Sequence, residues 1–347
     1  MDAITEPRDA KTGRMADSPL APVKIVAPRG TGRAALVKKA RLMAEERGIY
    51  VVRTGPIDSL TADGCLYADL ADGLRRRPSR TAKKSVASPP LERVLKALVR
   101  QRPLALLVDD AMGCDPRPLG ELLCMCQEII TYQYPLMLLL AGTPRIDQTL
   151  GRADASFIFR ARNLQVNALA PAATREALRK PFIDNGAKFK PKALELMAGM
   201  AGGYPLFIQI VGYWAWEEMM AAKSDEVDEQ MVRRAKAQIQ RERDEFYQLV
   251  YGEMKRNVGL LDHARFVMKL LKLNRGRVAD DMITETLAER FDKDAEERAL
   301  EAFHKLVDYG FIWSRGGEIE AGIPSFFNYC DAKDKKTARL RRPGKKK

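Results

Sequence analysis

An α/β protein is what the sequence predicts: a parallel-sheet core, then a helical unit, then a C-terminal winged helix-turn-helix. Three observations predict it. Short apolar runs alternate with helical segments up to about Ala141, helical periodicity alone continues from about Asn167 to Asn257, and three short helices then precede a hairpin on Gly316-Gly317. The 347 residues, 46% of them apolar, suffice for two or three packed units.

Val23–Val26 reads as a strand, Ala34–Arg47 as a helix stopped by Gly48, and Ile49–Arg53 as a second strand, which together make a βαβ unit. A polar stretch interrupts the pattern before a helix over Leu91–Arg102 and the wholly apolar strand Leu104–Val108. A helix near Leu119–Thr131 leads to a further buried run, Leu136–Ala141. Apolar strands without alternation imply a sheet covered on both faces, hence parallel. Helices follow at Ala172–Asn185, Pro191–Ala201, Pro205–Ala222 and Val227–Asn257, and the last unit has helices at Asp262–Leu273, Ala279–Arg290 and Asp294–Val307. The expected boundaries are a disordered arm over 1–21, the core over 22–166, the helical unit over 167–257, the winged helix over 258–332 and a basic tail over 333–347.

Charge is concentrated. Of the formal net +13, Arg75–Lys84 carries +6 and Lys333–Lys347 carries +8, so the remaining chain is close to neutral. Such runs attract polyanions without sequence preference, or serve as solvated segments that keep the protein in solution. The longest apolar run, Pro135–Ala141, is far short of a membrane span, and the polar N-terminus has no signal-peptide pattern, so a cytoplasmic address without membrane contact is expected. Five cysteines and two histidines supply neither zinc spacing nor a disulfide framework, and the cysteines read as reduced core thiols.

The segment between the first strand and helix is the most informative. Ala27-Pro28-Arg29-Gly30-Thr31-Gly32-Arg33-Ala34-Ala35 stands where a phosphate loop, G-x-x-x-x-G-K-[ST], presents backbone N–H groups and a helix N-terminus to phosphates. Arg29 to Ala35 are the candidate nucleotide-binding residues. Ala27 replaces the first Gly, Arg33 the Lys and Ala34 the Ser or Thr. The first change is mild if φ is negative there. Arg33 keeps charge but loses the compact ammonium, and the methyl of Ala34 ligates no Mg²⁺. Hydrolysis is therefore expected to be impaired or absent, with ATP or ADP bound weakly or not at all and Mg²⁺ doubtful. The same letters match the dinucleotide pattern G-x-G-x-x-A, although Arg53 stands where a ribose-binding acid belongs, which would leave only an NADP-type site.

Leu104–Val108 ends in Asp109-Asp110, the pattern of a Walker B strand, in which Asp109 would hold the metal and Asp110 would orient water. The alternative is a pair of acids capping the next helix. Thr143 and Arg145, after the following strand, stand where a hydroxyl and a guanidinium would approach a γ-phosphate.

In this order, the loop, the Asp-Asp strand, the polar residue after the next strand, the segment Gly202-Gly203-Tyr204-Pro205 and the winged helix resemble the AAA+/STAND class of P-loop ATPases, and in particular prokaryotic AAA-type ATP-binding proteins related to archaeal and origin-recognition ATPases. The resemblance spans Pro22–Tyr329 and includes the ending Gly310-Phe-Ile-Trp-Ser and Gly322-Ile-Pro-Ser-Phe-Phe-Asn-Tyr329. It implies a helical lid whose Gly203 and Pro205 pack on the nucleotide base; on letters alone that tripeptide also reads as a turn starting a helix. The expected function is a nucleotide-gated switch or scaffold that docks partner proteins. The alternative is an active DNA-associated ATPase that binds nucleic acid through Arg75–Lys84 and Lys333–Lys347, with a homo-oligomer supplying an arginine in trans. Base readout by the winged helix is disfavoured, because the segment from Asp294 carries Glu296, Glu297 and Glu301 against Arg298 and Lys305. Trp214 and Trp216, two apart on one helix, cannot share a face, so at least one is expected to meet a neighbouring domain or chain. Arg233–Arg243 reads as a solvated basic face or as a partner surface.

Overall fold

The computed structural model describes residues 21–61, 63–75, 89–154, 156–290, 295–315 and 317–341. Residues 1–20 of the arm predicted over 1–21, most of the first basic run (76–84), Asp294, Gly316 and residues 342–347 lie outside the described residues. The chain divides into two compact units: Met1–Ala27 with Gly32–Val166, and Pro28–Thr31 with Asn167–Lys347.

The first unit is built in the order β1 (Val23–Val26), α1 (Arg33–Glu46), β2 (Tyr50–Thr54), α2 (Cys65–Arg75), α3 (Leu91–Gln101), β3 (Leu104–Val108), α4 (Pro116–Thr131), β4 (Leu136–Gly142), α5 (Ile146–Arg152) and β5 (Arg162–Gln165). Its five strands are parallel in the order β2-β3-β4-β1-β5. β3 and β4 are buried along their whole length. Alternate residues feed opposite layers: Leu104, Leu106 and Val108 pack with α3 and α4, while Ala105 and Leu107 pack with Val37 and Ala44 of α1. Two-faced burial is why these strands read as continuous apolar runs. β5 carries no such run. All four of its residues are exposed, so it pairs with β1 through the backbone and left no hydrophobic signature.

The order of strands removes the dinucleotide reading. In that fold the second strand lies beside the first; here β3 and β4 separate β2 from β1.

The second unit follows with α6 (Pro171–Asp184), β6 (Lys188–Phe189), α7 (Pro191–Ala201), α8 (Pro205–Ala221), β7 (Glu226–Val227), α9 (Glu229–Arg256), α10 (Leu260–Leu273), β8 (Arg277–Ala279), α11 (Asp280–Ala288), α12 (Ala295–Asp308), β9 (Ile312–Arg315), β10 (Glu318–Ala321) and α13 (Phe326–Arg341). One continuous core runs from Leu178 to Cys330. The last strands form a sheet in the order β8-β10-β9, with β10 antiparallel to both neighbours.

Several expectations are corrected here. The segment from Lys333, expected as a tail, continues helix α13 to Arg341. Trp214 and Trp216 both pack within this unit: the Trp214 indole N–H donates to Glu242 at 2.8 Å, and the Trp216 ring meets Phe182 edge-on at 5.2 Å. Both fit because α8 has α9 on one flank and α6 on another. Arg243 is not part of a solvated face. It is 8% exposed, stacks over Phe207 at 4.5 Å, and donates to the carbonyl of Met200 at 3.1 Å and to Tyr247 Oη at 2.8 Å. Among the cysteines, Cys65 and Cys124 are exposed, while Cys114, Cys126 and Cys330 are buried.

Candidate functional site

Parallel strands place the carboxyl ends of β1, β3 and β4 along one edge of the sheet, where α/β proteins hold ligands. Ala27, after β1, is fully buried, and its N–H donates to the Gly142 carbonyl at 2.9 Å. Its φ is not positive, so alanine is unstrained in place of the usual glycine. Gly32, at φ 93, immediately precedes α1, and no side chain caps that terminus. Its first-turn N–H groups therefore keep the anion-binding character of a helix N-terminus.

At this edge guanidinium groups meet the acids that follow β3. Arg33, the first residue of α1, reaches the acids after β3. It pairs with the Asp110 carboxylate through Nη2, and its Nε lies 3.4 Å from Asp109 Oδ1. That Nε is buried and meets Asp109 as a charge neighbour without hydrogen-bond geometry. Arg53, at the end of β2, donates to the other Asp109 oxygen at 2.6 Å. The Asp110 backbone N–H donates to Asp109 Oδ1 at 3.0 Å. Asp109 is 8% exposed, so these contacts lie where water screens little. Asp110 holds φ 52, a left-handed conformation that aspartate tolerates better than most residues.

The capping alternative for the two acids is settled by Asp115, whose side chain accepts the Arg117 N–H at 3.0 Å and starts α4. Asp110 precedes a short 3₁₀ turn, Ala111–Gly113, without capping it through its side chain. Among the described residues no group of three His, Cys, Asp or Glu side chains is placed to hold a metal. Both Asp109 oxygens face guanidinium groups and Ala34 has no hydroxyl, so these residues do not fit Mg²⁺.

Thr143 is buried after β4, and its carbonyl accepts the Ile146 N–H at 2.9 Å to begin α5, with Arg145 in that turn. Ala34 and Ala35 are exposed on the first turn of α1.

Within the second unit, Pro28–Thr31 is held by Tyr204. The Tyr204 ring is fully buried, and its hydroxyl donates to the Arg29 carbonyl. The Leu206 N–H donates to the Gly30 carbonyl at 3.0 Å, and Arg29 pairs with Glu253 at 2.7 Å. Gly30 has φ 73, and a Cβ there would stand 2.7 Å from Tyr204 Oη. Glycine is therefore required here by the tyrosine as well as by the turn. Thr31 is 3% exposed and its hydroxyl donates to the Pro28 carbonyl at 2.6 Å, so it is committed to the turn itself. Tyr204 also stacks on Trp313 at 6.1 Å and tilts against Phe207 at 4.8 Å; burial pushes its phenol pKa up.

Gly203, at φ 73, lies against Leu169, whose backbone N–H donates to the Gly203 carbonyl at 2.8 Å. Pro205 is the first residue of α8, where its missing N–H costs nothing. Sequence reasoning missed the roles of Arg53 and Tyr204. Arg53 was visible only as the wrong residue for a ribose, and Tyr204 only as a letter between Gly203 and Pro205.

No protein-family model matches this chain, and no curated protein does. Solved structures do. A Walker-type ATPase of Pyrococcus abyssi aligns with TM-score 0.60 at 15% identity, over 89% of this chain and 90% of that one. The Aeropyrum pernix ORC2 protein, solved in ADPNP and ADP complexes, aligns with TM-score 0.55 at 16% identity, over 94% of this chain and 90% of that one. The chain has the fold of the AAA+ P-loop ATPases.

Proposed function

We propose that this chain is a STAND-like AAA+ switch or scaffold with a degenerate Walker A loop, which docks protein partners and does not hydrolyse ATP. The observation that carries the reading is the engagement of Asp109 and Asp110 by Arg33 and Arg53. A Walker B pair needs its carboxylates turned to a metal; here two guanidinium groups neutralise them, and Ala34 offers no hydroxyl. Arg29 to Ala35 remain the proposed residues for ATP or ADP phosphates through backbone N–H groups, Thr143 and Arg145 those for the γ-phosphate, and Gly203 and Pro205 those for the base. Binding is accordingly weak and independent of Mg²⁺. Residues 167–257 act as the lid and 258–332 as a winged helix, and a cytoplasmic setting suits the chain.

The test is direct. Protein purified without added nucleotide is denatured and the supernatant weighed for ADP or ATP, and ATPase turnover is measured for the wild type and Asp109→Asn. Turnover indistinguishable between the two supports the reading; turnover typical of an ATPase that disappears in Asp109→Asn refutes it.

A second reading has its own support: α13 carries Lys333, Lys335, Lys336, Arg339 and Arg341 along one regular helix, a basic element suited to nucleic-acid phosphates. DNA affinity that falls steeply with salt and is lost on deleting 333–347 would favour it over the protein-docking reading.

A further inference from the structure

The carboxyl half of α10 carries a cationic stripe unrelated to the nucleotide-type site. Lys269 and Lys272 are one turn apart on the helix and both exposed, and exposed Arg275 follows in the left-handed turn beyond it, at φ 56. Nearby cations are already paired: Arg265 with Asp262, and Arg277 with Glu318 and Glu320 at 3.5 and 3.6 Å. Lys269, Lys272 and Arg275 have no carboxylate partner among the described residues. Leu273, four residues beyond Lys269 and hence on the same side of α10, is 80% exposed.

A cavity of about 200 Å³ opens beside this stripe, lined by Met268, Phe311, Ile323, Phe326 and Phe327, with Lys272 at its rim. Its volume is below the ~300–1,000 Å³ of sites that enclose a small-molecule ligand and suits an apolar side chain. The Lys272 ammonium lies 4.0 Å from the centre of the Phe327 ring. That face already carries a cation and is not bare for a nucleobase to stack upon.

An apolar socket with Lys272 at its rim, and with Lys269 and Arg275 on the same helix and the turn after it, has a complement: an extended or helical peptide with one apolar anchor flanked by carboxylates. The geometry points to this face of α10 and the entry of α13 as the docking surface for an acidic, apolar-anchored peptide segment of a partner protein. The anchor fills the cavity, while Lys269, Lys272 and Arg275 meet the flanking carboxylates. Charge complementarity would set the approach and the buried anchor the residence time.

This deepens the protein-docking reading and stands or falls separately from the nucleotide question, since ATP turnover leaves peptide binding on α10 untouched. The experiment is fluorescence anisotropy of the full chain with a fluorescein-labelled acidic hexapeptide, in which Asp and Glu flank a central Leu-Phe pair. Saturable binding is expected, weakened at least about tenfold by Lys269→Glu/Lys272→Glu and by raising salt from 50 to about 500 mM. Ala321→Phe, at the cavity mouth, is expected to weaken binding about as much while leaving all three cations in place. Thermal melts confirm that each variant is folded, and replacing Leu-Phe by Ala-Ala in the peptide gives the same loss without altering the protein. Absence of binding, or binding unchanged in the folded charge-reversal variant, overturns the inference. So does an unlabelled oligothymidylate that displaces the peptide and itself binds more tightly through the same lysines, which would reassign the stripe to nucleic acid.

Discussion

Replacing Arg33 by Met keeps most of the aliphatic stem while removing the charge that faces Asp109 and Asp110. Hydrogen bonds to charged groups are worth about 1.5–3 kcal/mol, and exposed pairs about 0–1. The Asp110 side chain is 46% exposed, so that contact counts near the lower range. Asp109, 11% exposed at its side chain, loses a 3.4 Å charge neighbour but retains Arg53 and the Asp110 N–H. The net cost is therefore about 1–2 kcal/mol, below the ~3–5 of stripping a fully buried ion pair. For a unit of this size each kcal/mol lowers Tm by about 2–4 °C, so Arg33→Met should melt about 2–8 °C below wild type. The diagnostic readout is the response to Mg²⁺. Wild type gains nothing from added MgCl₂. The variant, with Asp110 unpaired and Asp109 half released, recovers stability, about 1.4 kcal/mol at ten times the dissociation constant. A variant as stable as wild type, with neither protein responding to Mg²⁺, would refute the idea that Arg33 stands in for the cation.

Four further outcomes follow from particular contacts. Gly30→Ala forces a side chain into a left-handed turn and against a fully buried ring, and should cost about 2–4 kcal/mol in urea denaturation; Tyr204→Phe, which leaves the Arg29 carbonyl without that donor, should cost about 1–3. Thiol titration of the native protein should count two fast cysteines, Cys65 and Cys124, with the others reacting only after unfolding, because burial pushes the Cys126 thiol to about 12 and raises Cys114 as well. Burial, and then the Arg290 charge, hold the His263 imidazole below its usual value against the opposing pull of Asp262. The unfolded chain therefore takes up the proton first, and stability should fall as pH drops from about 6.5 through the folded-state value; His263→Gln should flatten that slope in urea melts followed from pH 7 to 5.

The amino-acid sequence by itself determined the parts whose physics is local or repetitive. β3 and β4 had to be buried strands, because a continuous apolar run bounded by turns has nowhere else to go, and the strand-loop-helix at Ala27–Ala35 had to present a helix N-terminus. Gly48 was readable as the stop of the first helix, and it sits at positive φ. β5 was not legible, since an exposed strand held only by backbone pairing with β1 needs no apolar pattern. Nor was the helical course of the segment from Lys333 to Arg341, because its repelling charges suggested a tail. Tertiary structure alone decided what the site residues do. The substitution Arg33 for lysine reads in one dimension as a weakened phosphate contact. Only the adjacency of β3 to β2 and the reach of α1 turn it and Arg53 onto Asp109, because an ion pair depends on which strands lie side by side and not on the order in which they are written.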